Sequence, residues 1–342
     1  MQEETYYHAL HLLCGGEYKK LAALNAQHTS WQTAWRAHVV SEKKQVDPND
    51  AWQSLRASGI DLVLREHPSF PPLLKEIPWM PFGIYVKGSL PPPEALTLAI
   101  VGTRRGTSEG RAFARSIAKE VAARGVWVVS GLALGIDAEG HTGALEANGK
   151  TLAVLAGGLD HVSPRTNEQL AARILVSGGA LVSEYAPGIP PLPHRFIERN
   201  RIVSGLSRAI LIVEAPDGSG SLATARFALD QNRDVLVIPG PVRHPNYAGS
   251  HELIRNGAIL TTSAAHVYES LGINAQDIPP HTTTLSSEET LIVATLTEHA
   301  YPLPIDKIIE LTNLKPNIVN KIASLLVIKG IIREHGAGYT IQ

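Results

Sequence analysis

Six short apolar runs, LTLAIVG, VWVVSG, TLAVLAGG, ALVSEY, AILIVEA and DVLVIPG, lie between residues 95 and 275, each closed by a small or polar residue and separated by helix-forming sequence. A strand with one wet face alternates apolar and polar residues, whereas these runs are apolar at nearly every position and must be covered on both faces. Buried strands alternating with helices specify an α/β fold with a doubly wound, mainly parallel, Rossmann-like sheet. The helix EGRAFARSIAKEVAARG carries Phe113, Ile117 and Val121 on one stripe, as a helix lying on such a sheet should. In this architecture ligands bind beyond the carboxyl ends of the strands, and there the chain places Gly102, Gly131, Gly158, Glu184 and Tyr185, the SGS of 219–221 and Gly240.

The flanks have a different character. Residues 1–66 read as short helices broken at Cys14-Gly15-Gly16, and prolines at 68, 71, 72, 78, 81 and 91–93 mark an ordered connector that joins the sheet domain, 67–275. A stretch poor in apolar residues, 276–286, reads as a linker. Three helical stretches and a terminal hairpin over 287–342 then follow the order of a small winged helix. Cys14 is the single cysteine, so neither an intrachain disulfide nor a cysteine-built zinc site is expected, and no metal is. The acidic start MQEETYY and the lack of a bilayer-length apolar run point to a cytoplasmic chain without a membrane partner. A formal net charge of −1 excludes a protein that coats nucleic acid by bulk electrostatics, so any anion site is local.

Three helix-start turns and one arginine row offer local anion sites. In AIVGTRRGTSEG a strand turns at Gly102 into a helix, with Thr103, Arg104 and Arg105 in the turn; this presents N–H groups, a helix dipole and two guanidiniums to an anion. Its glycines, 102, 106 and 110, are spaced by four and do not make GxGxxG, so no dinucleotide cofactor is expected. The second turn, Ser130-Gly131, leads to Asp137, placed as a helix N-cap, and to His141, a helix-face histidine. In HRFIERNRIVSGLS, Arg195, Phe196, Arg199, Asn200 and Arg201 crowd together, and residues 194–208 hold four arginines against one glutamate. An oxyanion would balance the surplus; the alternative use of one arginine is an ion pair with Glu184 or Glu198. A third glycine-serine turn supplies Gly220 and Ser221 at another helix start.

The segments AIVGTR, SGLALGIDAEGH, GKTLAVLAGGLD, SEYAPG, RFIERNRIVSGLS, VEAPDGSGSLATA and VIPGPV followed by LIRNGA resemble, in order and spacing, the DNA-processing protein A family, also called Smf. That resemblance implies a Rossmann-like core between a SAM-like N-terminal helical domain and a C-terminal winged helix. It also implies a protein that binds incoming single-stranded DNA in natural transformation, shields it and loads the RecA recombinase, acting by binding and not by catalysis. Carried over, Arg104, Ser130, Gly131, Arg199, Asn200 and Arg201 match positions lining the family's phosphate pocket, with Arg165 and Arg195 as further basic candidates. The stretch HELIRNGAILTT matches a homodimer region, which would put Leu253, Ile254 and Leu260 in an interface; the alternative is a helix packed on its own domain. The sequence departs from the family at Leu134, where arginine is frequent, at Ser163, where tyrosine is usual, and at Ile197, where proline is usual.

A competing reading is enzymatic. Lysine-decarboxylase-like phosphoribohydrolases, which cleave nucleoside monophosphates, share this architecture, but their glycine-threonine turn is followed by a catalytic glutamate and SGSLATARF has none after Thr224. Residues 285–342, with five Lys/Arg and six Asp/Glu, suit protein contact better than duplex readout.

Overall fold

A computed structural model describes residues 3–38, 46–273, 286–299, 301–328, 331–335 and 338–341. The chain divides into two compact units, Met1–Ala275 and Gln276–Gln342. The linker expected over 276–286 lies, save Ser286, outside the described residues.

The first unit opens with helices α1 (Glu3–Leu13), α2 (Tyr18–Gln27), α3 (Trp31–His38) and α4 (Pro48–Ala57), then strand β1 (Asp61–Leu64), the single turn α5 (Pro72–Lys75) and β2 (Gly83–Gly88). The α/β winding follows as β3 (Thr97–Val101), α6 (Ser108–Ala122), β4 (Trp127–Ser130), α7 (Ile136–Glu146), β5 (Thr151–Leu155), α8 (Glu168–Val176), β6 (Ala180–Ser183), α9 (Pro193–Gly205) and β7 (Ala209–Ile212). It ends with α10 (Gly220–Asp230), β8 (Asp234–Val237), α11 (Ala248–Arg255), β9 (Ile259–Leu260) and α12 (Ala264–Ser270).

The six apolar runs are β3 to β8, as their two-faced hydrophobicity requires. The sheet order is β1-β2-β6-β5-β4-β3-β7-β8-β9, parallel from β6 to β9 and antiparallel at β1–β2 and β2–β6. Along β5 the side chains split by the strand period of two: Ala153 and Leu155 join one core, Leu152 and Val154 the other. After β6 the chain returns to place β7 beside β3, so the winding reverses direction between these two strands. That switch point opens a crevice at the strand ends.

The boundary expected at residue 66 does not separate a domain. Tyr7, Leu10 and Trp31 from the N-terminal helices share one core with Tyr85, Leu155 and Tyr185 of the sheet region, and DLVL of 61–64 is itself a sheet strand. Similarly, the proline-rich connector contains β2, because its prolines at 81 and 91 leave GIYVKG between them free to donate to neighbours. The Cys14-Gly15-Gly16 turn is docked as well. Arg195 donates to the Gly15 carbonyl at 2.8 Å, and a Cβ on Gly16, whose φ is +74°, would meet Tyr185, Ile189 and His11 within 3.2 Å.

The second unit has α13 (Ser287–Thr297), α14 (Ile305–Thr312), α15 (Pro316–Ile328) and a hairpin of β10 (Ile332–His335) with β11 (Gly338–Ile341). Ser286 and Glu289 form a reciprocal capping box at the start of α13, and Ile292, Leu296, Ile308, Val319 and Ile332 make the unit's own core. No helix among the described residues is long and apolar enough to cross a membrane.

Candidate nucleic-acid interface

A cleft of about 570 Å³ lies at the β3/β7 switch point. Gly102, Thr103, Arg104 and Arg105 from the β3–α6 turn form one wall, α9 gives Phe196, Ile197, Arg199 and Asn200, and Ser219, Gly220 and Ser221 begin α10 on the far side. Arg104 and Arg105 are exposed. The Arg104 guanidinium lies 5.3 Å from the centre of the Phe196 ring, a cation–π contact that joins the first wall to the second.

Helix geometry sorts the arginines of α9. Successive helical residues turn by about 100°, so Arg199 and Arg201 point to opposite sides and cannot serve one pocket. Arg199 reaches the cleft floor. Its Nη1 donates to the carbonyls of Gly131, at 2.6 Å, and of Val154, while Nε lies 3.3 Å from Asn200 Oδ1. Gly131 must be glycine here, since a Cβ would overlap that guanidinium. Burial pushes Arg199 well below its ordinary value, to about 10, opposed by the Asp137 carboxylate. It therefore remains a cation at neutral pH.

Arg201 corrects the expectation from sequence. It is buried away from the cleft, and its Nη2 contacts both oxygens of Glu184 at 2.7 and 2.6 Å, the ion pair weighed as its alternative use. Burial lifts the Glu184 carboxyl above its usual range, and Arg201 works against that rise. Arg195 also leaves the cleft, donating to Pro190 and Gly15 carbonyls and lying over the Tyr185 ring. Arg165 is exposed outside the lining, and Ser130 is buried, with its hydroxyl donating to the Ile100 carbonyl.

The expectation of three anion-receptive turns is corrected too, because the protein fills two of them itself. At the start of α6, Thr107 donates both its N–H, at 3.1 Å, and its hydroxyl to the fully buried Glu214 carboxylate. Before α7, Asp137 Oδ2 accepts from the N–H groups of Gly131, at 3.1 Å, and Ala133, at 3.4 Å. Asp137 is thus not the N-cap, which is Gly135; it sits inside the first turn and reaches back. Burial raises its pKa, against the pull of Arg199 and these N–H groups. Of these three turns, that of α10 keeps its start open on the cleft: the Gly220 and Ser221 N–H groups have no intrahelical acceptor, and the N-cap Ser219 makes no capping bond. Asn200 Nδ2 braces this turn by donating to the Gly220 carbonyl at 3.1 Å. His141 is a buried histidine bonded to Thr151, as expected of a helix-face position.

Sequence reasoning missed Asp137 and Ile197 as lining residues and Glu214 as the filler of the α6 turn. For Glu214 the available signal was an acid ending an otherwise apolar strand run, AILIVEA.

Residues 61–272 match the family described as DNA recombination-mediator protein A. The chain belongs to that family. It is 40% identical over 237 residues to protein Smf of Escherichia coli, covering 69% of this chain and 63% of that one. It is 37% identical over 217 residues to the DNA processing protein DprA of Bacillus subtilis, covering 63% and 73%. The X-ray structure of Streptococcus pneumoniae DprA superposes with a TM-score of 0.62 at 32% identity over 70% of this chain and 80% of that one. For Helicobacter pylori DprA, studied for its single-stranded DNA binding mode, the TM-score is 0.56 at 27% identity over 62% and 95%. The Rossmann-like sheet is therefore the fold this chain shares with the DprA structures.

Proposed function

We propose that the chain binds single-stranded DNA by seating a backbone phosphate in the switch-point cleft, shields the strand in the cytoplasm and promotes RecA loading in natural transformation and recombination. The observation that carries this reading is the convergence of Arg104, Arg105, Arg199 and the open α10 N-terminus on one cleft, with Asp137 the single carboxylate in its lining. Guanidiniums and backbone N–H groups recognise phosphate without reading bases, which suits sequence-tolerant binding. Gly102, Thr103, Asn200, Gly220 and Ser221 shape the seat, and Phe196 offers one ring beside it. Arg195, Arg201 and Ser130 support the walls from behind, leaving Arg165 as an outlying contact for a longer strand.

Binding is favoured over catalysis because Asp137 is committed to two backbone N–H groups and no other acid lines the cleft to stabilise a cationic transition state. A homodimer fits the edge of the sheet. Leu260, 48% exposed, sits with Ile259 on the short edge strand β9, while Leu253 and Ile254 are half-buried against their own core and offer only their remaining surface.

Titration of a labelled dT oligomer and its duplex at two salt concentrations tests the reading. Tighter, salt-dependent binding of the single strand is expected, and equal affinity for duplex or no binding would overturn it. Release of adenine on incubation with AMP would instead establish the phosphoribohydrolase reading. Recombinase loading is measured separately, as RecA assembly on oligomers precoated by a single-strand-binding protein.

A further inference from the structure

Glu214 is fully buried at the end of the β7 run, and among the described residues it has no cationic partner in an ion pair. A carboxylate taken from water without a counter-ion is stable only when its lone pairs are all occupied by donors. Here they are. Besides the two Thr107 donors, Asn246 Nδ2 donates at 2.7 Å and the Tyr247 hydroxyl at 3.1 Å. The Glu214 main-chain carbonyl accepts the Thr103 N–H at 2.8 Å. Asn246 Nδ2 also donates to the Arg105 carbonyl at 3.0 Å. Gly110 gives the carboxylate its space, since a Cβ there would strike the Glu214 carboxyl group.

These bonds hold the β3–α6 turn at both ends and in its middle: Thr103 before the arginines, Arg105 at its own carbonyl and Thr107 after them. The side chains of Arg104 and Arg105 are exposed and make no ion pair among the described residues, so this backbone sets where they start, with the Phe196 ring the one side-chain contact on Arg104. We infer that Glu214 is a positioning residue for single-strand binding, acting through Asn246 and Thr107 to fix the turn that presents Arg104 and Arg105 to phosphate. The inference rests on the proposed reading of the cleft. It adds a residue that never touches the ligand.

The experiment measures anisotropy of a labelled dT oligomer against salt for the full chain, for Glu214→Gln and Asn246→Ala, and for each of these in an Arg104→Ala/Arg105→Ala background. Glu214→Gln keeps the volume but puts an NH₂ where an acceptor was. Asn246→Ala, at a half-exposed position, removes the bridge to Arg105 and serves if the glutamine variant fails to fold, which thermal melting reports. Each single variant is expected to weaken binding roughly tenfold and to flatten the salt dependence by about one phosphate, a slope change of ~0.7. In the arginine-free background, neither should change affinity further, which a general loss of stability would not reproduce. Unchanged affinity, an unchanged salt slope or an equal loss in both backgrounds would overturn the positioning role. Failure of the unsubstituted chain to bind dT at all would instead overturn the reading of the cleft on which it rests.

Discussion

Arg199→Met separates what the buried guanidinium costs the fold from what it contributes to binding. The lowering of Arg199 to about 10 corresponds to a net cost on the order of 3 kcal/mol, burial offset in part by the Asp137 carboxylate, since each pKa unit is ~1.4 kcal/mol. A methionine of similar reach removes that penalty. It also strips the Gly131 and Val154 carbonyls of their donor, at about 1–3 kcal/mol for each group left unsatisfied. The opposing contributions nearly cancel, and the expected net change in stability is within about 3 kcal/mol of zero in either direction. Binding has no such compensation. Among the described residues Arg199 Nη2 makes no hydrogen bond, so it is the donor available to a phosphate oxygen in the cleft. Loss of a charge-assisted hydrogen bond of about 1.5–3 kcal/mol should weaken dT oligomer binding roughly 10- to 150-fold. Denaturant melts and anisotropy on the same preparations give both quantities. A variant that binds within about twofold of the parent, or one that unfolds while Arg104→Ala does not, would show that Arg199 belongs to the scaffold alone.

Arg104→Ala should weaken single strands of all sequences alike and lower the salt slope by about 0.7, one phosphate, in the same titration; an unchanged slope would place the phosphate elsewhere. Leu260→Arg should yield a folded monomer by light scattering that binds short oligomers normally and long ones poorly, because two linked sites raise effective concentration; a dimeric variant would move the interface. Truncation near residue 283 should leave single-strand affinity intact, since the second unit has its own core and residues 285–342 are net acidic. Acid should destabilise the fold through His11 and His141, which burial lowers to about 3, and His8, lowered to about 4, from an ordinary 6.5. Held neutral when folded and protonated when unfolded, they contribute fully above 6.5 and progressively less toward 3, about 2 kcal/mol each at about pH 5. The buried acids Asp137 and Glu184, raised in the fold, act in the opposite sense, so the measurement is the difference in pH-dependent melting between the parent and His141→Gln.

The central strands were legible because burial on both faces leaves no polar position to disguise them. Their neighbours were not: β9 is two residues long, β1 alternates in burial over four residues, and β2 is short and surrounded by prolines. All three lie at or next to an edge of the sheet, where fewer contacts demand apolar residues. The arginine row was legible as charge but not as geometry. Pro193 at the first turn of α9 was a helix-start signal, and a helix beginning there sends Arg199 and Arg201 to opposite faces. Composition alone gave four arginines in one stretch; periodicity removes Arg201 from the cleft and pairs it with Glu184.

The same distinction governs the glycine turns. A strand, a glycine and a helix start make N–H groups available, but availability does not say whose anion takes them. At α6 and before α7 the chain supplies its own carboxylates from Glu214, which arrives on the adjacent strand run, and from Asp137, which reaches back from the following helix. Those internal acids fix two backbone turns without external ligand, so the rims of the cleft are formed before a strand arrives. The α10 turn carries Asp217, but that carboxylate is exposed and accepts none of the Gly220 or Ser221 N–H groups among the described residues. Cationic side chains and free N–H groups are consequently brought together where α10, Arg199 and the Arg104–Arg105 turn line one cleft. On the proposed reading of the cleft, a chain of net charge −1 would concentrate its anion affinity there by filling the neighbouring turns with its own acids.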